Sequence, residues 1–237
     1  PFPLDEVSLD FEILGLTADE SRQEVLLSAA RTESVNGRVS ALMEADMKTM
    51  VVDVGAHALG RAVLACLPEL KTWDKPVGIV DIGASAMTFA ALLKGEVVYS
   101  RLQNFGGDQY SQALASFYSM SLDEAELAKV QGRLPADHEV DVLLPHLNTL
   151  VLQVKRNVQL FCSSSGNKEL SKLVLTGGGS LLPGLVGQIG SELNCDVLHP
   201  DPFALFGKPK GEGGLIHGAK YMAAFGLALR SFTPCQI

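Results

Sequence analysis

The apolar and polar positions along the chain predict an α/β order of elements. Residues 7–14 alternate between apolar and polar side chains, as a half-buried strand does, and residues 24–30 predict a second strand. The pattern then predicts a helix, a strand and a helix rich in small side chains, at residues 32–45, 48–54 and 56–67. A polar connector with Pro76 follows and indicates a boundary between two parts of the chain.

A strand meander opens the second part. Lys94 and Gly95 are suited to a tight hairpin turn, and Ser121 is a favourable first cap for a helix that starts with acidic residues. The strands of the meander are predicted at 77–82, 87–93 and 96–102. Beyond them the pattern predicts helices at 106–118, from 121 and after 135, a strand at 172–175, a helix at 181–193, a strand at 196–198, a loop at 201–214 and a last helix at 215–229. This order is typical of a ribonuclease-H-like layer.

Composition narrows the class of protein. The 237 residues are 47% hydrophobic and 19% charged, a balance typical of a folded globular protein. The net charge of -8 argues against a nucleic-acid surface, and the sequence contains no basic run. No uninterrupted apolar segment approaches the roughly 20 residues that cross a bilayer. We therefore expect no nucleic-acid partner and no direct membrane insertion, so that any membrane association would go through a partner.

The start of the chain and its thiols and imidazoles give further expectations. The chain begins at Pro1 without an initiator methionine, and we interpret it as a fragment that starts inside a longer protein.

The cysteines and histidines are scattered without metal-ligand spacing, so we assign none to metal binding or to catalysis. Unpaired thiols without a role are favoured, and a disulfide pair stays an open alternative. They are Cys66, Cys162, Cys195, Cys235, His57, His138, His146, His199 and His217.

Two turns of small residues carry the candidate chemistry. Residues 80–88 form a short apolar strand that reaches Asp81 and then enters a small-residue turn, and residues 175–180 run from a strand into three consecutive glycines. Small residues let backbone N–H groups approach phosphate oxygens, and an adjacent carboxylate can hold a hydrated magnesium ion. A single glycine-rich turn usually has no such role, but two in this order are much less often accidental.

The chain resembles the PilM family of type IV pilus assembly proteins, which belongs to the actin-like ATPase superfamily and is similar to FtsA. The resemblance covers essentially the whole chain and is carried by residues 3–12, 81–84, 105–107, 127–129 with Gly132, 202–203 and 226–231. It implies ribonuclease-H-like layers with an FtsA/PilM-type extra subdomain, and a first phosphate hairpin that is missing from this chain. It further implies a first-lobe remainder at 1–75, a second lobe with the nucleotide-binding elements at 76–214, and a C-terminal helix at 215–237 that packs back toward the first lobe.

The same resemblance implies a site for ATP or ADP with magnesium. Asp81, which would orient magnesium through water, belongs to the second phosphate motif, although it could also be only a cap at a hairpin end. Gly106 and Gly107 would lie under the ribose and phosphates, and Glu126 and Lys129 would reach the ribose and adenine; the alternatives are a simple helix start and a solvated ion pair. The remaining site residues are Gly83, Ala84, Ser85 and Thr88 of the phosphate motif and Gly177, Gly178, Gly179 and Ser180 of the adenosine motif.

The function implied by the resemblance is a scaffold rather than an enzyme. Family members commonly carry an acidic residue after Val-Asp-Val, where this chain has Gly55, so we expect nucleotide binding with at most slow hydrolysis. The implied partner is the cytoplasmic tail of the membrane protein PilN, held beside the extra subdomain to which residues 3–14 contribute, with pilus motor ATPases as further partners. The protein would then be cytoplasmic and peripheral at the inner membrane. Self-association, a sugar-kinase-like phosphotransferase, and an FtsA- or GspL-type scaffold are the open alternatives.

Overall fold

The computed structural model describes residues 3–17, 19–166, 169–207 and 217–232. Cys235 and the predicted helix start at residues 215–216 lie outside the described residues, as does the predicted loop from 208 to 214. The chain divides into two compact units, the first built from residues up to Val54 together with those from Ser231 onward, and the second from Gly55 to Arg230. The predicted lobe boundaries at 75 and 214 stay a prediction.

The first unit is a hairpin with one helix. Strands β1 (Val7–Leu16) and β2 (Gln23–Arg31) pair antiparallel, and helix α1 (Thr32–Glu44) follows directly. Ser8 bonds to Thr32 across the start of the helix. The two predicted strands and the helix are therefore confirmed. The strand predicted at 48–54 is wrong: those residues form no regular element, and no described strand pairs with them.

The second unit is built on a five-stranded sheet. Its strands are β3 (Val77–Ile82), β4 (Met87–Leu93), β5 (Glu96–Gln103), β6 (Lys172–Thr176) and β7 (Asp196–Leu198), in the spatial order β5-β4-β3-β6-β7. The first three form the predicted antiparallel meander, and β6 and β7 add in parallel. Lys94 and Gly95 have φ of 53° and 83°, the left-handed conformation of a tight turn, which confirms the predicted hairpin.

Helices cover both faces of this sheet because side chains of β3 alternate between them. Ile79 packs with α2 (Gly55–Cys66) and α8 (Met222–Ala228) on one face, and Val80 packs with α5 (Leu144–Ser165) and α6 (Leu185–Leu193) on the other. The remaining helices are α3 (Gly107–Tyr118), α4 (Leu122–Gln131) and the short α7 (Pro202–Phe206). None of the described helices combines the length and the apolar character that crossing a bilayer requires.

Several predicted element bounds change in the structure. A π-helical turn, Glu139–Leu143, precedes α5, and a 3-10 turn, Gly178–Leu181, precedes α6, so both helices begin later than predicted. The last helix is shorter than predicted because 3-10 turns flank α8 on both sides. Ser121 caps α4 as predicted, accepting a bond from the Glu124 N–H while the Glu124 carboxylate accepts one in return.

Trp73 lies on the connector before β3. Its indole N–H donates to Ser171 Oγ at 2.8 Å, and the Lys172 ammonium lies 4.8 Å from its ring centroid. Both partners belong to the second unit, at the beginning of β6. Trp73 therefore fixes the connector to the sheet.

Candidate functional site

The two small-residue turns singled out in the sequence meet at one edge of the sheet. Strands β3 and β6 are parallel neighbours, with Asp81 opposite Thr176, so the turns that leave both strands lie side by side. Thr176 Oγ1 donates to Asp81 Oδ1 at 2.7 Å. On the other side of β3, Thr88 of β4 lies opposite Asp81. Thr88, Asp81 and Thr176 therefore form a polar row across three strands.

The glycine turn after β6 lies directly on the backbone of β3. Gly177 has φ of +84°, and a Cβ placed there would lie 2.7 Å from both the nitrogen and the carbonyl carbon of Ile82. A Cβ on Gly179 would lie 3.0 Å from the Ile82 Cβ and 3.2 Å from its carbonyl oxygen. Only glycine fits such an approach, so the two turns form one continuous surface.

The start of α3 closes on the turn after β3. Gly107 N–H donates to the Gly83 carbonyl at 3.0 Å, and Asp108 N–H donates to the Ala84 carbonyl at 2.8 Å. A Cβ on Gly106 would meet both of these carbonyl groups, which explains the glycine there. These contacts give Gly106 and Gly107 a structural role, because the Gly107 and Asp108 N–H groups bond to the protein. Their predicted contact with a ribose or phosphates stays a prediction.

Ala84 and Ser85 occupy the exposed tip of the turn after β3. The Gly83 N–H closes this turn on the Ala86 carbonyl at 2.9 Å. The tip is the part of the phosphate motif that stands open to solvent beside Asp81. The predicted contact of Ala84 and Ser85 with phosphates stays a prediction.

Asp81 is the acidic group of the site. Burial raises the pKa of Asp81, and the hydrogen bond from Thr176 opposes that rise. Among the described residues, no cluster of three or more acidic, histidine or cysteine side chains could hold a metal by itself. One carboxylate fits magnesium that is carried mainly by phosphate oxygens and water, because this ion commonly keeps several waters.

Glu126 and Lys129 form an ion pair on α4, as their spacing predicts. Ser111 of α3 joins them, accepting a bond from Lys129 Nζ at 2.7 Å and donating to the Glu126 carboxylate. Burial acts to raise the pKa of Glu126, but the hydrogen bonds from Lys129 and Ser111 outweigh it and lower that pKa. Lys129 Nζ lies 3.7 Å from the position of a Cβ on Gly107, so the pair borders the same edge of the sheet.

Ser180 has protein partners within the glycine turn, and its predicted contact with a nucleotide stays a prediction. Its side chain is buried, and its hydroxyl lies 2.7 Å from the Gly177 carbonyl and 2.8 Å from Nε2 of His199. The hydroxyl therefore stabilises the glycine turn from inside. His199 follows β7, and nothing in the sequence pattern connected it with this turn.

Lys220 is a second residue that the sequence analysis missed. The Gly177 N–H donates to the carbonyl of the neighbouring Ala219 at 2.8 Å, and Lys220 Cγ lies 3.9 Å from the position of a Cβ on Gly178. Lys220 is exposed, and its side chain starts beside the glycine turn. Lys220 adds a positive charge near the glycine turn, and no motif in the neighbouring sequence predicts it.

Comparison with known proteins identifies the family. A family model described as type IV pilus assembly protein PilM matches residues 1–232. The chain belongs to the PilM family. The predicted family is therefore confirmed over nearly the full length of the sequence.

Solved structures similar to this PilM-family chain give the same fold. The chain is 28% identical to a chain of a PilM-PilN type IV pilus biogenesis complex, with a TM-score of 0.80. This match covers 99% of the present chain and 69% of the chain in the complex. MreB5 of Spiroplasma citri bound to ADP matches at 14% identity and a TM-score of 0.59, over 84% of this chain and 65% of that one. Ta0583, an archaeal actin homolog, matches at 13% identity and a TM-score of 0.55, over 89% of this chain and 61% of that one. The predicted actin-like fold is thus confirmed.

Proposed function

We propose that this PilM-family protein is a nucleotide-binding scaffold of type IV pilus assembly, which docks the cytoplasmic tail of a PilN-type membrane protein. The observation that carries the nucleotide part is the meeting of the two turns beside the Thr88–Asp81–Thr176 row. The PilM relative was solved as a PilM-PilN complex, and this supports the partner. The scaffold would act on the cytoplasmic side of the inner membrane through that partner.

Different residues at the edge of the sheet where the two turns meet would hold different parts of ATP or ADP. The exposed tip at Ala84 and Ser85 presents backbone to the phosphates, and the bare backbone of residues 177–179 leaves room for the nucleoside. Lys129 and Lys220 supply positive charge on either side. Magnesium, when bound, neutralises phosphate charge. Asp81 would orient the water shell of that ion through an ionised carboxylate, a form that a nearby divalent cation would favour.

The site favours binding over catalysis. Gly55 begins α2, where the family resemblance leads us to expect an acidic residue, and it offers no group that could activate water. The sugar-kinase alternative requires a further catalytic carboxylate, and the PilM match does not favour it. We therefore expect nucleotide binding to be a conformational or assembly signal, with slow hydrolysis at most.

Replacing Asp81 tests the nucleotide site. Asp81→Asn is expected to weaken binding of ATP in magnesium by about tenfold, because the asparagine cannot supply the charge that holds the hydrated ion. Removing magnesium with EDTA should then make little further difference. The free energy of unfolding should be unchanged or raised, because a buried charge is removed.

Isothermal titration calorimetry with ATP, with and without EDTA, checks the Asp81 prediction. Glu96→Gln is the matched control, since Glu96 is an exposed carboxylate in the same sheet. Equal affinity of the parent chain and Asp81→Asn for ATP in magnesium would contradict the assignment of Asp81.

The hairpin of the first unit offers a surface for the PilN-type tail. Phe11 and Leu27 are directly opposite each other in the register, and both are 61% exposed. Leu9, Ile13 and Val25 lie on the same face and are at least half exposed. Since monomeric proteins rarely leave large contiguous apolar surfaces in water, this face suits an apolar segment of a partner.

Phe11→Ser is expected to weaken binding of a synthetic PilN-tail peptide by more than about fivefold, because an exposed aromatic anchor is lost. Fluorescence anisotropy of a labelled peptide measures this. Val98→Ser is the matched control, an exposed apolar side chain on β5 of the second unit, outside both the hairpin and the cleft described below. Loss of binding in the control but not in Phe11→Ser would place the tail elsewhere on the protein.

A further inference from the structure

We propose that a cleft between α3 and the start of α5 docks a partner polypeptide through an apolar side chain that is followed by a basic residue. The cleft has a volume of about 390 Å³ and lies in the second unit. This inference goes beyond the proposed function and does not rest on nucleotide binding. Its lining includes Phe105, Gln109, Ala113, Phe117, Asp141 and His146.

The cleft is separate from the Ser111–Glu126–Lys129 cluster. Gln109, Ala113 and Phe117 recur every four residues and so share one face of α3. Ser111 is two positions from both Gln109 and Ala113, and residues at that spacing do not share a helix face. The cleft therefore opens on a different side of α3 from the residues proposed to hold the nucleoside.

An aromatic stack forms the inner wall of the cleft. The ring of His146 lies 5.8 Å from that of Phe105 at an interplanar angle of 9°, and 5.2 Å from that of Tyr110 at 27°. The side chain is only 7% exposed. Burial, with help from the charge of Lys129, lowers the pKa of His146 to about 4, so the ring is neutral at physiological pH. A flat neutral wall of this kind suits an apolar or aromatic side chain.

The inner wall also carries a polar atom without a partner. Nε2 of His146 is buried and has no hydrogen bond with any described residue. Leaving such a group unpaired is unfavourable, so a ligand that supplies a hydrogen bond there would bind more tightly. Because His146 lines the cleft, the backbone of a docked segment can supply the missing partner after a small movement of the ring.

The rim of the cleft is open and acidic. Phe117 is 52% exposed, and Val140 and Leu144 beside Asp141 are 69% and 47% exposed, so apolar surface continues outside the cleft. Asp141 is exposed and is the one acidic side chain among the described residues that line the cleft. Asp137 and Glu139 precede it along the chain and are also exposed. An open cleft beside an exposed apolar patch is typical of an anchor site for a protein partner. The acidic rim favours a basic residue next to that anchor.

The test uses acetylated, amidated dipeptides as probes and nuclear magnetic resonance of the labelled chain. The phenylalanyl-arginine dipeptide should give saturable shifts at the Ala113 methyl group and the Thr149 methyl group, both at the cleft. Phenylalanyl-glutamate and alanyl-arginine dipeptides should bind at least about threefold more weakly, since each lacks one of the two features. The absence of saturable shifts at about 10 mM phenylalanyl-arginine would overturn the proposal. Tighter binding of phenethylamine than of this dipeptide would instead indicate a small aromatic amine and overturn the choice of a polypeptide.

Three substitutions locate the binding. Asp141→Asn should weaken phenylalanyl-arginine about threefold, and the control Asp123→Asn, at an exposed carboxylate on α4, should leave its affinity unchanged. Ala113→Phe should abolish the shifts by filling the cleft, provided that its amide spectrum shows the native fold. His146→Phe keeps the ring stack but removes Nε2, and should weaken the dipeptide about threefold. Parent-like affinity in both Asp141→Asn and His146→Phe would overturn the proposed cleft, whatever the outcome for Ala113→Phe.

Discussion

Gly177→Ala is expected to lower the free energy of unfolding of the second unit by about 3–5 kcal/mol. The added methyl group would meet the backbone of Ile82 in the central strand β3, and backbone atoms there cannot move without breaking strand pairing. The φ of +84° adds strain, because alanine rarely adopts the left-handed region. Urea denaturation followed by far-ultraviolet circular dichroism measures the change.

Gly187→Ala is the matched control for this substitution. Gly187 lies inside α6, and a Cβ there would have no atom within 4 Å. Alanine should therefore stabilise the helix by about 0.5–1 kcal/mol. A parent-like midpoint for Gly177→Ala would show that the glycine turn does not lie on β3 as described, and the proposed site would lose its geometry.

The second large effect concerns pH. His146 has a pKa of about 4 in the folded protein, below its ordinary value of 6.5, because burial and Lys129 disfavour the charged ring. Between pH 6.5 and pH 4 the imidazole of His146 binds a proton in the unfolded chain but not in the folded chain, so the free energy of unfolding falls as the pH falls. The loss should reach roughly 3 kcal/mol between pH 6.5 and pH 4, at about 1.4 kcal/mol per unit. Above pH 6.5 the ring is neutral in both the folded and the unfolded chain, so this loss is absent.

His146→Phe separates this effect from those of the other titrating groups. The phenylalanine preserves the stack with Phe105 and Tyr110 and cannot be protonated. The difference in free energy of unfolding between parent and variant should therefore change by roughly 3 kcal/mol between pH 6.5 and pH 4. Denaturant titrations at several pH values give this difference directly. A difference that stays constant with pH would show that His146 is not buried as neutral imidazole.

Local signals account for what the sequence predicted well. The meander was predictable because apolar strands flank Lys94 and Gly95, which adopt the turn expected of them. The capping pair of Ser121 and Glu124 likewise fixes the start of α4 through neighbouring residues. Both depend only on contacts within a few positions along the chain.

The elements that the sequence mispredicted or missed depend on distant partners. The strand expected at 48–54 has the β-branched apolar residues typical of a strand but no described neighbour to complete its hydrogen bonds. Thr176, His199 and Lys220 reach the candidate site because β6 pairs with β3, β7 pairs with β6, and the segment before α8 bonds to the glycine turn. Glycine turns can be recognised in a sequence, but the side chains that surround them are set by sheet order.

The position of Trp73 gives the protein a built-in optical reporter. It is the single tryptophan of the chain, and it contacts Ser171 and Lys172 at the beginning of β6. Its fluorescence emission therefore reports unfolding of the second unit, to which Trp73 and both of its partners belong. Unfolding curves recorded by emission and by a probe of total secondary structure would coincide if the two units melt together and would part if they melt one after the other.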